Sequence, residues 1–205
     1  MMRKAFLITG ATGKQGGAVI DALLAAVPDL SDITIFALTR NAASGGAKAL
    51  VGKSPEHIKL VEGNLDDCEA IFKAAPAPIM GVFCVTLPAL GPRAKADLEE
   101  VQGKALIDAA LNNGVKHFVY TSVDRHGPDS DSQDTDVPHF IAKATVERHL
   151  KAQSQMTWTI LRPVAFMGEL FPFQGLSYRA SRRGLILSKS FPIHETFRHL
   201  NICCL

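Results

Sequence analysis

A chain of 205 residues, 47% of them hydrophobic, is long enough for one globular domain with a partial second, and apolar enough to fill its core. A net charge of +2 is too small to make nucleic acid the main partner, and no apolar run approaches the length of a membrane span. The four cysteines, Cys68, Cys84, Cys203 and Cys204, show no metal-ligand spacing and no Cys-x-x-Cys, which predicts no metal site and a reducing, cytoplasmic compartment.

Met1-Met-Arg-Lys4 leads into a run of only five residues before Gly10, too short for the apolar core of a signal peptide. That run, Ala5-Phe-Leu-Ile-Thr9, reads as a buried strand. It ends in Gly10-Ala-Thr-Gly-Lys-Gln-Gly16, with glycines at i, i+3 and i+6, and a helical pattern follows in Val19, Ile20, Leu23, Leu24 and Val27. Strand, glycine turn and helix in that order predict a dinucleotide loop whose helix N-terminus faces a pyrophosphate. Gly10 permits the turn, Gly13 admits the phosphates, and Gly16 lets the helix pack close to the strand. A Walker-type loop is excluded, because Gln15 stands where Ser or Thr is needed and Ile8 where the first glycine is needed.

Ile33-Thr-Ile-Phe-Ala-Leu38 is a second buried strand, ending at Thr39-Arg40. An acid at that tip would bind the ribose hydroxyls of NAD. An arginine there, 24 residues beyond Gly16, pairs instead with the 2′-phosphate of NADP, and the alternative is an ordinary solvated arginine. Asn41 to Lys53 reads as a short helix with loose ends. A third strand, Ile58-Lys-Leu-Val61, leads to Asn64-Leu65-Asp66-Asp67, where Asn64 or Asp66 would edge the adenine, or Asp66 or Asp67 would simply cap the helix from Cys68 to Ala75.

Ile79 to Val85 is a fourth strand, and Thr86-Leu87 opens the loop at its C-terminal end, where ligands of open α/β sheets sit. Lys95 to Asn113 follows as the strongest helix, with Leu98, Val101, Ala105, Leu106 and Ala109 on one face. Val115 to Ser122 is a fifth strand with Ser122 at its tip. The acidic stretch from Asp124 to Val137 predicts a mobile surface loop, since its spacing fits no calcium loop. A helix from about His139 to Gln153 and a sixth strand, Thr157 to Leu161, complete the pattern. Strands alternating with helices predict an α/β fold, a doubly wound parallel sheet of Rossmann type.

Together these residues resemble the atypical, extended short-chain dehydrogenase/reductases, and most closely the NmrA-like family. The resemblance runs from about residue 3 to residue 170. It is carried by Gly10-Ala-Thr-Gly-Lys-Gln-Gly-Gly17, Arg40, Tyr120-Thr-Ser-Val123, Pro138-His-Phe140, Lys143, Val146-Glu147 and Leu161-Arg-Pro-Val-Ala-Phe-Met167. It implies NADP(H) as the cofactor, with NAD weaker. Gly10, Ala11, Thr12, Gly13, Lys14, Gln15 and Gly16 would form its phosphate loop, Arg40 would hold the 2′-phosphate, and Asn64 and Leu65 would stand at the adenine. Thr86, Leu87, Lys143, Pro163, Phe166, Met167, Gly168 and Glu169 would line the nicotinamide half, with Glu169 where the family commonly carries Asn.

Typical short-chain dehydrogenases use Ser, Tyr and Lys, the tyrosine four residues before the lysine. Here Ser122 and Lys143 are the matching candidates, and His139 stands at the tyrosine position. Histidine can move a proton near neutrality, but its plainer reading is a first-turn helix residue. The family resemblance therefore implies a redox sensor, cytoplasmic or nuclear, that binds NADP(H) and a transcription factor or other regulatory protein. The alternative is an NAD(P)H-dependent reductase of quinones or related carbonyl compounds. The expected division is an NAD(P)-binding domain over residues 1–170 and an atypical, shortened tail over 171–205, with the usual C-terminal lobe largely missing.

Overall fold

Six short apolar runs lie side by side in a computed structural model that describes residues 4–26, 33–75, 77–87, 97–125, 127–132 and 135–164. The strands are β1 (Lys4–Ile8), β2 (Ile33–Thr39), β3 (Ile58–Glu62), β4 (Ile79–Cys84), β5 (His117–Thr121) and β6 (Thr157–Leu161). The helices are α1 (Lys14–Ala26), α2 (Gly45–Lys53), α3 (Cys68–Ala74), α4 (Leu98–Asn112) and α5 (Pro138–Lys151). All neighbouring strands are parallel, in the order β3-β2-β1-β4-β5-β6. Strand order reverses between β1 and β4, so their C-terminal ends splay connections to opposite sides and leave a crevice there.

Alternation along β1 sets the two layers of core. Phe6 and Ile8 face α1 and α2, with Val19, Ile20, Leu23 and Leu50. Ala5 and Leu7 face α3, α4 and α5, with Ile71, Leu106, Ile107, Val146 and Leu150. A strand covered on both faces has few polar positions to offer, which is why the β1 run is continuously apolar from Ala5 to Ile8.

Three expectations shift. The apolar face of α4 is rotated: its buried residues are Glu99, Gly103, Leu106, Ile107, Ala109 and Ala110, while Val101 is 54% exposed. The stretch after β5 is anchored, where a mobile loop was expected: Arg125 and Ser130 are buried, and Gly127–Asp131 forms a 3-10 turn. The helix before β3 starts only at Gly45, because Ser44 caps it by accepting the Ala47 N–H. Val27, Pro88 to Lys95, Phe166, Met167, Gly168, Glu169 and the tail over 171–205 lie outside the described residues. Among the described residues no helix is long and apolar enough to cross a membrane, and no cluster of His, Cys, Asp or Glu is arranged to hold a metal ion.

Candidate functional site

The glycine turn begins where β1 ends. Gly10 has φ of +57°, a left-handed conformation that a side chain disfavours, and a Cβ there would lie 2.6 Å from Val85. Its carbonyl accepts the Gly13 N–H at 2.9 Å, closing the turn. A Cβ on Gly16 would sit 2.4 Å from that same carbonyl oxygen, so only glycine lets α1 start this close to the strand. Thr9, which the sequence reading passed over, stitches the crevice: its hydroxyl donates to the Val85 carbonyl at 3.0 Å and accepts the Val85 N–H at 2.8 Å. The first turn of α1 thus begins beside the ends of β1 and β4, with the positive end of the helix turned to the crevice. This backbone cradle, with Lys14 and Arg40 both exposed at its rim, fits a dinucleotide carrying several phosphates. A groove of about 500 Å³ flanks it between α1 and α2, lined by Thr12, Gly13, Lys14 and Gly46 among others.

Arg40 stands exposed just past β2, on a loop held from two sides. The Asn41 carboxamide oxygen accepts the Ala43 N–H at 2.8 Å, and the Glu62 carboxylate at the tip of β3 accepts the Ala42 N–H at 2.7 Å. Glu62 is a second residue the sequence reading missed. Asn64 turns its oxygen onto the Asp66 N–H, Leu65 packs against the core, and Asp67 caps α3 by accepting the Ala70 N–H. Asp66 instead accepts from the Gln102 carboxamide at 2.8 Å.

On the other side of the crevice, two residues of α5 face inward one turn apart, and both are charged. Lys143, 8% exposed, places Nζ 2.9 Å from Glu99 and donates to the Thr121 carbonyl at 3.1 Å. Thr86 donates to the same Glu99 oxygen at 2.8 Å. Beneath them lies Tyr120, its ring 5.4 Å from the ammonium. Burial pushes the Tyr120 phenol up, and its hydroxyl has no aligned hydrogen-bond partner among the described residues, since Thr86 is turned to Glu99. Leu87 is exposed at the rim.

The second nest surrounds Glu147, 1% exposed. Ser122 donates its hydroxyl to this carboxylate, Arg125 donates to both its oxygens at 3.0 and 3.1 Å, and Arg162 forks onto both as well. Burial works against the charged form, but hydrogen bonds from Arg162, Arg125 and Ser122 outweigh it and hold the carboxyl below its usual range. Arg125 also donates to the Ser130 carbonyl, and Arg162 and Lys151 reach Asp131, so this nest is what anchors the acidic stretch.

Of the three candidates for chemistry, Ser122 and Lys143 are thus each engaged by a buried carboxylate. His139 lies half-buried in the first turn of α5, its ring against Phe140 at 4.4 Å between centroids. Pro163 follows β6 and accepts the Asp124 N–H at 3.0 Å. Glu99 is the residue the sequence reading most clearly missed, and its signal was available. Counting back from Ala110 through Ile107, Leu106 and Gly103 at helical spacing lands on Glu99.

The sequence profile of the NmrA-like family matches residues 2–202. An NmrA-like family domain-containing protein of Dictyostelium discoideum is 30% identical over 156 residues, 75% of this chain and 47% of that protein. Among solved structures, Citrobacter sp. triphenylmethane reductase complexed with NADP(H) superposes with a TM-score of 0.62 at 26% identity, over 82% of this chain and 51% of that one. The NADPH-dependent quinone oxidoreductase QOR2 of Escherichia coli, complexed with NADPH, gives 0.57 at 26% identity over 77% and 48%. The chain spans about half the length of each of these relatives. Profile, fold and crevice agree: the chain belongs to the NmrA-like family.

Proposed function

We propose that this protein binds NADP(H) across the crevice at β1 and β4 and passes hydride from NADPH to acceptors that need no simultaneous protonation, quinones and cationic dyes foremost. The observation that carries the reading is the committed state of Ser122 and Lys143, each held by a buried carboxylate. The first-turn N–H groups of α1 receive the pyrophosphate. The Arg40 guanidinium pairs with the 2′-phosphate, which sets NADP above NAD. Lys143 serves the nicotinamide ribose. When bound, NADPH supplies a hydride at its nicotinamide ring. Reducing a carbonyl leaves an alkoxide that must be protonated as it forms, and positioned acid catalysis typically contributes about two to four decades in rate. Quinones and carbocationic dyes escape that demand, and the NADP(H)-complexed reductases of similar fold, named for triphenylmethane and quinone substrates, support the class.

The same observation favours a second reading, a sensor that binds NADP(H) without consuming it and reports through a regulatory protein such as a transcription factor. A ligand shifts a conformational equilibrium whenever it binds two states unequally, with no chemistry required. One assay separates the two. The protein is saturated with NADPH, offered quinones, triphenylmethane dyes and aldehydes, and followed at the nicotinamide absorbance. Turnover of about 1 per second or more on quinones or dyes is the expected result, with aldehydes slower by roughly two decades or more. Tight binding without turnover selects the sensor, and failure to bind any nicotinamide nucleotide rejects both.

A further inference from the structure

Glu99 is an acid in the first turn of α4, 1% exposed, on the helix face that otherwise meets the core. One carboxylate oxygen holds Lys143 and Thr86, and the other has no partner among the described residues. A buried ion pair is a weak device for stability, because desolvation of both charges offsets their attraction. The position of this pair suggests another use. With the pyrophosphate on α1 and the adenosine half towards β2 and β3, the nicotinamide half of a dinucleotide extends over β4 and β5. Lys143 Nζ sits at those two strand ends, between Thr86 and the Thr121 carbonyl.

The two forms of the cofactor differ there by one charge: the ring is cationic in NADP⁺ and neutral in NADPH. An ammonium alone at this place repels NADP⁺ and leaves NADPH untouched; a carboxylate does the reverse. The pair together is neutral. We propose that Glu99 sets the oxidised-to-reduced preference of the bound cofactor by cancelling the charge of Lys143, a role that rests on the NADP(H) reading above. Glu99 is a charge-setting and positioning residue, since it acts through Lys143.

The test is thermodynamic and needs no turnover: calorimetric Kd values for NADP⁺ and NADPH, compared as a ratio. Glu99→Gln should raise Kd(NADP⁺)/Kd(NADPH) on the order of tenfold, the scale of one unscreened charge in a partly buried crevice. Glu99→Asp should keep the wild-type ratio, and Glu99→Gln combined with Lys143→Gln should restore it. If Glu99→Gln does not fold, Lys143→Gln makes the opposite change and should lower the ratio. Equal changes in both Kd values, with the ratio unmoved, would reduce Glu99 to a structural residue and overturn the proposal while leaving the NADP(H) reading intact. Failure of the wild-type protein to bind either form would remove both.

Discussion

Arg40 shows how much one side chain is asked to do at the adenosine end. It stands exposed past β2, on a loop fixed by Asn41 and Glu62 rather than by the arginine itself, so its removal leaves the loop in place. A charge-assisted contact to a phosphate is commonly worth about 1.5–3 kcal/mol, or roughly one to two decades in affinity. Arg40→Ala should therefore weaken NADP(H) by that amount and leave NAD(H) nearly unchanged, and calorimetry with all four nucleotides reads the difference. Equal losses for NAD and NADP would assign Arg40 another role. Glu147 makes the opposite kind of case, a buried carboxylate whose partners define its worth. Its folded carboxyl is held below its ordinary value of 4.5. The unfolded chain thus binds protons more readily, and the stability Glu147 contributes is complete above that value and is lost as pH falls through the folded value. Removing its charge strands the buried Arg125 and leaves Arg162 with Asp131 alone, and breaking such a buried pair costs about 3–5 kcal/mol. Glu147→Gln should lower the unfolding free energy measured by urea denaturation at pH 7 by that amount, and the difference from wild type should shrink as pH falls below 4.5.

Among the elements, β6 runs from Thr157 to Leu161 with the bounds read from the sequence, and the other five strands differ by a residue or two at their ends. The inner strands β1 and β4 are legible because apolar residues run through them nearly unbroken. The glycine turn is legible for a related reason: Gly10 and Gly16 answer to backbone geometry that no other residue meets. The helices on the α3, α4 and α5 side read less well. In α4 and α5 the inward stripe carries Glu99, Lys143 and Glu147, and a reading that equates buried with apolar rotates α4 to expose Glu99. Glu99 and Lys143 pair across two helices, and the partners of Glu147, Arg125 and Arg162, come from outside α5, which no local pattern reveals. Gly103 belongs to the same interface. A Cβ there would lie 2.7 Å from a Val146 methyl, and the β-branched Val146 has little rotamer freedom to yield. Gly103→Ala should cost about 1–3 kcal/mol of overpacking, offset in part by a helix-propensity gain of about 1 kcal/mol. Gly52 in α2 has open space around a built Cβ, so Gly52→Ala should be neutral or stabilising by up to about 1 kcal/mol. Urea denaturation of the two variants side by side checks that the difference comes from contact with Val146 and not from helicity.

At the scale of the molecule, the crevice divides the sheet into two halves that meet only along β1 and β4, with Thr9 tying their tips. A dinucleotide spanning that line touches both halves and binds only the folded chain, so it stabilises by mass action. At one hundred times its Kd a ligand adds about 2.7 kcal/mol, which for a chain of this size raises Tm by roughly 5–10 °C. NADPH at that concentration should produce such a shift. NADH at the same concentration, binding one to two decades more weakly, should produce roughly half of it at most, falling to about a sixth. Gly13→Val provides the control. A Cβ at Gly13 would lie 3.2 Å from the Gly10 carbonyl, tight but not prohibitive, and the valine methyls would project from the turn into the space the pyrophosphate needs. That variant should keep the wild-type circular dichroism spectrum and show no thermal shift with any of the four nucleotides. A folded Gly13→Val protein that still gains 5–10 °C with NADPH would mean that the cofactor binds away from the glycine turn, and the crevice at β1 and β4 would lose its claim to be the site.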